Sequence, residues 1–375
     1  MSTTTTGPLI SVCIPAYNRA ALLPELLDSI LAQDCDDYEI LISEDCSPER
    51  DSIRRIGCTY ASTHPGRFRY HENDNNVGYD GNLRKLIELA RGGFCLFMGN
   101  DDLMPPHALA AVATALRLHA DVGVVLRSYA IFSGTPSGIV EICRYFDRQL
   151  VFPPGAKTIA TVYRRAVVIS GIVVHREAAL RCATDRFDGT LLYQLHLVAN
   201  ILADKKAVYL PDLIALYRTG GVPEFGNSPA EQPNFKPREQ TIESSIHFVR
   251  GMLAIAKHVQ AQRNLPIYRP ILRDIANYSY PILAIQAQRS LSAFVKYGWA
   301  LARMGLGRHF MFYMWLLALI LVGPTRLQHL IRRLKQMLGH TPSLGDIYRG
   351  DAPNPAARDN AHTTVPEHSP PRHST

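Results

Sequence analysis

The chain has 375 residues, of which 47% are apolar, and it carries a formal net charge of +7. This length and apolar content indicate a globular protein with one large domain or two ordinary ones. The seven cysteines are scattered, without a C-x-x-C pair or a Cys/His cluster at zinc spacing, which argues against a disulfide framework or structural zinc. We therefore expect reduced cysteines in a cytosolic setting, and the polar N-terminus does not resemble a secretory signal.

Apolar runs alternate with amphipathic segments through the first hundred residues. The run LISVCIPA is rich in β-branched residues and ends at a proline, which is typical of a buried strand. The alternation predicts an α/β fold with a Rossmann-like, mainly parallel sheet, and ligands are expected at the carboxyl ends of its strands. The predicted strands are 9–16, 38–43, 68–71 and 94–98, and the predicted helices are 21–33, 82–91 and 106–119.

The same periodicities continue to a segment rich in Gly, Pro and Asn at 220–237, which is the best candidate for a boundary. Strands are predicted at 122–132, 140–145 and 166–175, with a helix from 177 and another over 191–203. The segment 207–211 and the run 213–218 complete the domain. The pattern beyond the boundary is mostly helical. The predicted organisation is a disordered N-terminus over 1–8, a domain over 9–219, a linker over 220–237, a helical region over 238–348 and a disordered tail over 349–375.

Two carboxylates and an amide follow the predicted strand 94–98, at Asn100, Asp101 and Asp102. Mg²⁺ and Mn²⁺ prefer oxygen ligands, and a cation that bridges a nucleotide diphosphate needs only one or two protein carboxylates. Asp101 and Asp102 are therefore the candidate metal ligands. The alternative is that these residues only form a turn and a helix cap.

Two further polar clusters are expected at the same edge of the sheet. Glu44 and Asp45 end the predicted strand 38–43, and a carboxylate there can accept a hydrogen bond from the ring N–H of a pyrimidine. The loop NVGYDGN at 76–82 leads into a helix whose N-terminus can hold phosphate. The alternative for the first cluster is a capped turn, and the second is a weak signal by itself.

Together the clusters resemble the family 2 glycosyltransferases, which have the GT-A fold. The matching motifs are SVCIPAYNR at 11–19, EDCS at 44–47, N-x-G-x-x-x-N at 76–82 and FMGNDD at 97–102. Some details are similar to the abequosyltransferase-like branch, which builds O-antigen and other surface polysaccharides. The resemblance covers roughly the first 105 residues and continues more loosely to about Arg218.

The resemblance implies a metal-assisted, inverting transfer of a sugar from a nucleotide-diphosphate-sugar to a saccharide or lipid-linked acceptor. Asp45 is then expected to recognise uracil or a related base, and Asp101 corresponds to the second acid of the family's D-x-D motif, whose first acid is Gly99 here. Arg218 either contacts phosphate or forms a structural salt bridge. The residues expected to bind the nucleotide-sugar are Pro15, Ala16, Tyr17, Arg19, Glu44, Asp45, Asn76, Gly78, Asn82, Asn100, Asp101 and Arg218.

The catalytic base does not follow from the motifs. An inverting transfer needs a proton acceptor within hydrogen-bond reach of the acceptor hydroxyl. The family's acid pair falls on Leu192 and Tyr193, neither of which can act as that base. We expect Asp188 as a substitute and His196 as the second choice, although a half-buried structural histidine is the simpler interpretation of His196.

The C-terminal region is basic and apolar, with no acidic residue between Asp274 and Asp346. Its apolar run 310–322 is shorter than the ~20 residues that a membrane-spanning helix needs. The flanking aromatic and basic residues favour a peripheral contact with anionic lipid through 299–335, at the cytoplasmic face of the inner membrane. The alternative is a core helix of a C-terminal bundle.

Three other functions compete with sugar transfer. A nucleotidyltransferase would carry a glycine- and Arg/Lys-rich phosphate loop after its first strand, and PAYN at 15–18 is not such a loop. A non-catalytic nucleotide- or sugar-binding protein is suggested by Gly99, Leu192 and Tyr193. No nucleic-acid partner is expected, because the basic stretch is too apolar to follow phosphates.

Overall fold

The computed structural model describes residues 7–220 and 226–341. Of the predicted disordered N-terminus, only residues 7 and 8 are described. The predicted disordered tail, 349–375, lies outside the described residues. The strands are β1 (Ile10–Ala16), β2 (Tyr38–Glu44), β3 (Phe68–Glu72), β4 (Phe94–Phe97), β5 (Val122–Ser133), β6 (Ile139–Cys143), β7 (Leu150–Phe152), β8 (Val173–His175) and β9 (Lys206–Thr219).

Helices flank this sheet and continue into the C-terminal region. The helices are α1 (Leu23–Leu31), α2 (Arg50–Thr63), α3 (Gly78–Leu89), α4 (Ala108–Leu118), α5 (Ala156–Val162), α6 (Arg176–Arg181), α7 (Tyr193–Ile201), α8 (Ile242–Arg263), α9 (Tyr268–Asn277), α10 (Tyr280–Arg289), α11 (Leu291–Arg303), α12 (Phe310–Val322) and α13 (Pro324–Leu338). Short 3-10 helices lie at Ala20–Leu22, Tyr163–Ala166 and Leu306–Arg308.

The strands form one mixed sheet in the order β3-β2-β1-β4-β8-β5-β9-β7, with β6 paired to β5. β1 runs parallel to β2 and β4, and β5 runs parallel to β9, whereas β8 lies antiparallel between β4 and β5. β1 and β2 are buried on both faces because helices cover the sheet on each side, which explains their predominantly apolar sequences. The predicted α/β class with a mainly parallel sheet is confirmed.

The carboxyl ends of three parallel strands meet at one edge of the sheet. Ala16 pairs in register with Glu44, and Cys13 with Phe97, so β1, β2 and β4 end close together. The polar residues that follow these strands therefore share one edge, as expected for ligand sites in such sheets.

Several elements differ from the sequence prediction. The strand predicted over 166–175 shortens to β8, because Gly171 turns with φ +82° and the buried Arg127 guanidinium holds the carbonyls of Val168 and Ser170. α3 begins at Gly78 rather than at 82, and β7 and α5 have no counterpart in the prediction. The segment 207–211 and the run 213–218, which had no assigned secondary structure, lie in one strand, β9, whose register shifts around Pro211.

The described part of the predicted linker, residues 226–237, packs against the sheet domain. Ser228 and Glu231 are buried, and the Ser228 hydroxyl donates to Asn76 Oδ1 over 2.6 Å. The Tyr17 hydroxyl donates to the carbonyl of Asn227 over 3.2 Å. This segment therefore contributes to the same edge of the sheet as β1 and β2.

The predicted helical C-terminal region is confirmed as α8 to α13. Its apolar side chains share one core with α7 and one face of the sheet. Arg164 links the region to the sheet domain by donating to the buried Asp274 over 2.7 Å. Within the described part of the chain, no single helix is long and apolar enough to cross a membrane. α12 and α13 together meet that criterion by length and composition, with a bend of 117° between them.

Candidate functional site

A cleft of about 730 Å³ opens at the shared edge of the sheet. Its walls come from the ends of β1, β2 and β4, from the loop before β8, from the end of β9 and from the segment after residue 226. The predicted residues that line it are Pro15, Ala16, Tyr17, Arg19, Asp45, Asn82, Asn100, Asp101, Asp102 and Arg218. The expectation that Asp45 and Asp101 share one cleft is therefore confirmed.

Arg19 and Asp101 form an ion pair across the mouth of the cleft. Asn18 and Arg19 both adopt left-handed backbone conformations, with φ of 54° and 59°, which turn the chain sharply after β1. Asn100 Nδ2 donates to the carbonyl of Asn18 over 2.9 Å. The loops after β1 and β4 are thus joined, and the Asp101 carboxylate pairs with the Arg19 guanidinium.

Asp102 is directed to the protein interior. It is 2% exposed, and its two carboxylate oxygens accept from the Ser170 hydroxyl and from the backbone N–H of Arg218. Burial raises its pKa to about 7, and the neighbouring charge of Asp101 adds to the shift. Asp102 therefore anchors the loop before β8 and the end of β9, and it does not stand beside Asp101 as a second metal ligand.

The glycine at 99 fits this crowded turn. A Cβ atom there would lie 3.0 Å from an Asp102 oxygen and 3.3 Å from an Asp101 oxygen. An acid at 99 would therefore need the two neighbouring carboxylates to move.

Arg218 makes protein contacts with its whole guanidinium. Its Nε donates to the carbonyl of Asp101 over 2.8 Å, its Nη2 pairs with Glu25 at 2.5 Å, and it stacks on Phe132. Arg218 was expected either to contact phosphate or to form a structural salt bridge, and the structure contains the salt bridge, with Glu25.

Asp45 is surrounded by hydrogen-bond donors. Its Oδ1 accepts from Asn73 Nδ2 and from the N–H of Val77, and its Oδ2 accepts from Asn76 Nδ2 and from the N–H of Gly78, all within 2.8–2.9 Å. A carboxylate offers about four lone-pair positions, so all are filled. Burial raises its pKa to about 6. In this arrangement Asp45 holds the loop over 73–78, and it has no position left to accept from a base.

Glu44 caps the turn after β2 outside the cleft, accepting from the N–H groups of Cys46 and Ser47. Asn82 lines the cleft, and its Nδ2 donates to the carbonyl of Ser43 over 2.9 Å. Gly78 and Asn76 lie behind Asp45 rather than in the cleft wall.

The sequence model of the glycosyl transferase family 2 matches residues 11–164. This range contains β1, β2 and β4 with the loops that form one side of the cleft. The match covers less than half of the chain, and over this range the chain is similar to the glycosyl transferase family 2.

Curated relatives match over the same region. The abequosyltransferase RfbV of Salmonella typhimurium is 36% identical over 116 residues, which are 30% of this chain and 34% of that protein. A PGL/p-HBAD biosynthesis glycosyltransferase of Mycobacterium tuberculosis is 34% identical over 114 residues, 30% of this chain and 43% of that protein. The matched region spans less than half the length of these relatives.

Solved structures show the same fold over more of the chain. Residues 1–349 of Staphylococcus aureus TarS, crystallised with UDP-GlcNAc, superimpose with a TM-score of 0.51 at 14% identity, covering 88% of this chain and 92% of that one. Another crystal structure of the same fragment gives 0.50 at 16% identity, with coverages of 76% and 82%. Together with the family 2 match, this establishes the GT-A fold.

The two candidates for the catalytic base, Asp188 and His196, lie outside this cleft. Asp188 forms a two-pronged ion pair with Arg84, at 2.7 and 2.8 Å. His196 is 2% exposed, its Nε2 lies 2.7 Å from the carbonyl of Cys182, and burial lowers its pKa. Neither residue lines the cleft, and both side chains are engaged in these contacts.

Several polar residues of the cleft were not predicted from the sequence. Glu231 and Ser228 come from the segment that composition marked as a linker, and Gln194 lies in the first turn of α7. Asp80, just behind the cleft, caps α7 by accepting from the N–H groups of Leu191 and Tyr193. Asp80 lies in the predicted loop 76–82, whereas no local pattern marks Ser228, Glu231 or Gln194, because their place in the cleft depends on packing between distant parts of the chain.

Within residues 7–220 and 226–341, no group of three or more His, Cys, Asp or Glu side chains could hold a metal ion. Asp101, which is 19% exposed, is the acid that faces the mouth of the cleft. Any cation there would need most of its ligands from a bound molecule, which is the usual arrangement for Mg²⁺ on a diphosphate.

Proposed function

We propose that this protein transfers a sugar, with inversion, from a nucleoside-diphosphate donor to a saccharide or lipid-linked acceptor in the synthesis of a surface polysaccharide. The observation that carries the proposal is the convergence of Arg19, the Asp45-anchored loop and Asp101 in one cleft of a domain similar to the glycosyl transferase family 2. The names of two relatives, an abequosyltransferase and a PGL/p-HBAD glycosyltransferase, agree with it. TarS, which shares the fold, has been crystallised with UDP-GlcNAc.

The mouth of the cleft suits a diphosphate. Arg19 would donate to phosphate oxygens, and Asp101 would hold Mg²⁺ or Mn²⁺ together with those oxygens. Such a cation, when bound, would neutralise charge on the leaving diphosphate. Asp102 takes no part in this ligand set, because its oxygens are occupied by Ser170 and Arg218.

The experiment is a screen of UDP-, GDP-, CDP- and TDP-sugars with the full chain, with Mn²⁺ or with EDTA, read by released nucleoside diphosphate. We expect turnover with one donor class and a loss of at least 100-fold in Asp101→Asn, the size of one lost electrostatic contact to the leaving group. Asp188→Asn, outside the cleft, is the matched control. If calorimetry detects no uptake of any nucleoside diphosphate, the proposal fails.

The same screen separates an enzyme from a binding module. Gly99, Leu192 and Tyr193 stand where the family has acids, which favours the second candidate, a non-catalytic nucleotide- or sugar-binding protein. That candidate requires the wild type to bind a donor without turning it over. The release of nucleoside diphosphate would then be equally low in the wild type and in Asp101→Asn.

We further propose that α11 to α13 lie against an anionic lipid surface. α12 packs Phe312 and Leu319 into the core and exposes a stripe along its opposite face. Arginines and a lysine surround this stripe without any acid from 275 to 341, which suits negatively charged headgroups. The exposed stripe comprises Phe310, Tyr313, Met314, Leu317, Ile320 and Leu321, and the exposed basic residues are Lys296, Arg303, Arg308, Arg326 and Arg333.

Two of the basic residues expected at this surface face inward instead. Lys335 is 9% exposed and donates to Glu141 over 2.7 Å, and Arg332 lies 3.9 Å from the same carboxylate. They tie α13 to β6 rather than contribute to lipid binding.

Vesicle sedimentation tests the lipid contact. We expect the full chain to bind phosphatidylglycerol-containing vesicles, and Leu317→Ser with Leu321→Ser to reduce binding at least tenfold, because each buried leucine contributes about 1.5–3 kcal/mol. Leu118→Ser, which removes an exposed leucine from α4, is the control. Equal losses in both variants, or no binding by the wild type, would contradict the proposal.

A further inference from the structure

Glu231 is a carboxylate of the cleft that the sequence motifs do not predict. It is 6% exposed, and its Oε2 accepts from the N–H of Gly226 over 2.8 Å. The backbone of Tyr79 provides a second hydrogen bond. Among residues 7–220 and 226–341, these donors fill two of its four lone-pair positions, whereas all four are filled at Asp45.

The segment that carries Glu231 is fixed against the sheet domain. Asn76 Oδ1 accepts from the Ser228 hydroxyl over 2.6 Å and from the N–H of Ala230 over 3.2 Å. Asn76 also donates to Asp45, so the loop held by Asp45 positions Glu231 in turn. The carboxylate is thus placed by a network rather than by a mobile loop.

The other acids of the cleft wall are committed. Asp45 is saturated by donors, Asp101 is paired with Arg19, and Asp102 is anchored to Ser170 and Arg218. Asp101 and Asp102 also follow β4, where the diphosphate is expected. Glu231 comes from the segment after residue 226 and lies beside Tyr79.

A second observation indicates that the cleft receives a hydroxyl donor. Gln194 lines the cleft, is 1% exposed and donates through Nε2 to the carbonyl of Val167 over 2.8 Å. Its Oε1 is buried and has no hydrogen-bond partner in the part of the chain that the structure describes. A buried amide oxygen without a partner costs free energy, and a sugar hydroxyl is a donor that would satisfy it.

We propose that Glu231 is the general base of the transfer reaction and that Gln194 orients the acceptor saccharide through its Oε1. This inference rests on the proposed function. The acceptor hydroxyl gives its proton to Glu231 while its oxygen bonds to the anomeric carbon of the donor. The bond from that carbon to the diphosphate breaks, and the diphosphate leaves with the electron pair.

The electrostatic surroundings suit this role. Burial raises the pKa of Glu231 to about 7, and the charges of Asp80 and Asp45 add to the shift, against the hydrogen bonds from Gly226 and Tyr79. The remaining titratable group beside it is the buried Tyr79 phenol, whose pKa lies well above its ordinary value because of burial. A base of this pKa accepts a proton efficiently near neutral pH.

The test compares Glu231→Gln and Glu231→Asp with Glu239→Gln, which changes an exposed acid paired with Arg289 on the protein surface. We expect Glu231→Gln to lower the kcat of transfer by about 10²- to 10⁴-fold, the usual contribution of general-base catalysis, with donor affinity by calorimetry within twofold of wild type. Glu239→Gln should match the wild type. If Glu231→Gln keeps more than a tenth of the wild-type kcat, Glu231 is not the base.

The pH profile separates catalysis from structure. In the wild type, kcat should rise with pH as Glu231 loses its proton and level off above about 7. Glu231→Asp, which keeps a carboxylate in a different place, should keep partial activity with a shifted ascending limb. If the ascending limb of the pH profile of kcat is not shifted in Glu231→Asp, the assignment is wrong. This test also holds if Glu231→Gln does not fold.

Gln194→Leu tests the acceptor contact. We expect the KM for the acceptor to rise about tenfold with the donor KM unchanged, and an unchanged acceptor KM would remove Gln194 from the proposal. A wild type that binds a donor but transfers no sugar would instead refute the proposed function itself. The two failures are therefore distinguishable.

Discussion

Arg19 and Asp101 are 82 residues apart in the chain and form an ion pair at the mouth of the cleft. Both side chains are about one-fifth exposed, at 21% and 19%. The guanidinium thus contacts one carboxylate oxygen, Oδ2, of Asp101. A divalent cation bound by Asp101 would have to compete with Arg19 for this carboxylate.

Removal of this competition should be measurable without any substrate. We predict that Arg19→Ala binds Mn²⁺ alone about fivefold more tightly than wild type, which corresponds to the roughly 1 kcal/mol of a partly exposed ion pair. Electron paramagnetic resonance of free Mn²⁺ measures this affinity. Arg117→Ala, which breaks an exposed pair with Asp37, is the control, and equal Mn²⁺ affinities in all three proteins would contradict the prediction.

Asn76 connects the loop over 73–78, which Asp45 holds, to the segment that carries Glu231. It donates to Asp45 over 2.9 Å and accepts from Ser228 and Ala230, so its removal leaves several buried groups without partners. We predict that Asn76→Ala lowers the free energy of unfolding by about 2–3 kcal/mol and Ser228→Ala by about 1 kcal/mol. Urea denaturation measures both, with the exposed neighbour Asn75→Ala as the control. A loss in Asn75→Ala as large as that in Asn76→Ala would contradict the network.

The strand ends of the site could be predicted from the sequence because they depend on local patterns. The buried runs before Tyr17, Asp45 and Asn100 mark β1, β2 and β4, and parallel strands must end at one edge. This is why Asp45 and Asp101 were correctly placed in one cleft.

The individual contacts could not be predicted, because they are set by partners distant in sequence. Asp102 resembles a metal ligand until Ser170 and Arg218 occupy its oxygens. Asp188 resembles a base until Arg84 pairs with it. Glu231 lies in a segment whose Gly and Pro content indicates a boundary, and only its packing against Tyr79 and Asn76 makes it part of the cleft.

Asp80 should contribute far more to stability than Asp188. Asp80 is 1% exposed and accepts from two backbone N–H groups at the start of α7, at 2.8 and 2.9 Å. We predict that Asp80→Ala lowers the free energy of unfolding by about 2–3 kcal/mol, because a cap is lost and buried N–H groups are left unpaired. Asp188→Ala should cost below about 1 kcal/mol, since its pair with Arg84 is partly exposed. Urea unfolding that ranks the two variants in the opposite order would be decisive against this assignment.

The pH dependence of stability provides an independent measure of Glu231. Its pKa is raised from 4.5 to about 7 in the folded protein by burial, so the folded state binds the proton more tightly than the unfolded chain. The resulting stability is fully present below pH 4.5 and is lost as the pH rises to about 7. The loss amounts to about 3 kcal/mol, at 1.36 kcal/mol for each pKa unit.

Glutamine cannot ionise and retains an oxygen that can accept from Gly226, so Glu231→Gln should escape this loss. We predict that the variant is close to wild type in stability at pH 4.5 and more stable than wild type at pH 8, as measured by urea unfolding at both values. Asp45, Asp80 and Asp102 also have raised pKa values in both proteins. The charges of Asp45 and Asp80 repel that of Glu231, so its removal relieves this repulsion and adds to the stability of the variant at pH 8. A difference between variant and wild type that stays constant from pH 4.5 to 8 would mean that Glu231 is charged at little cost in the folded protein. Its carboxylate would then be solvated, and the buried position described for it would be wrong.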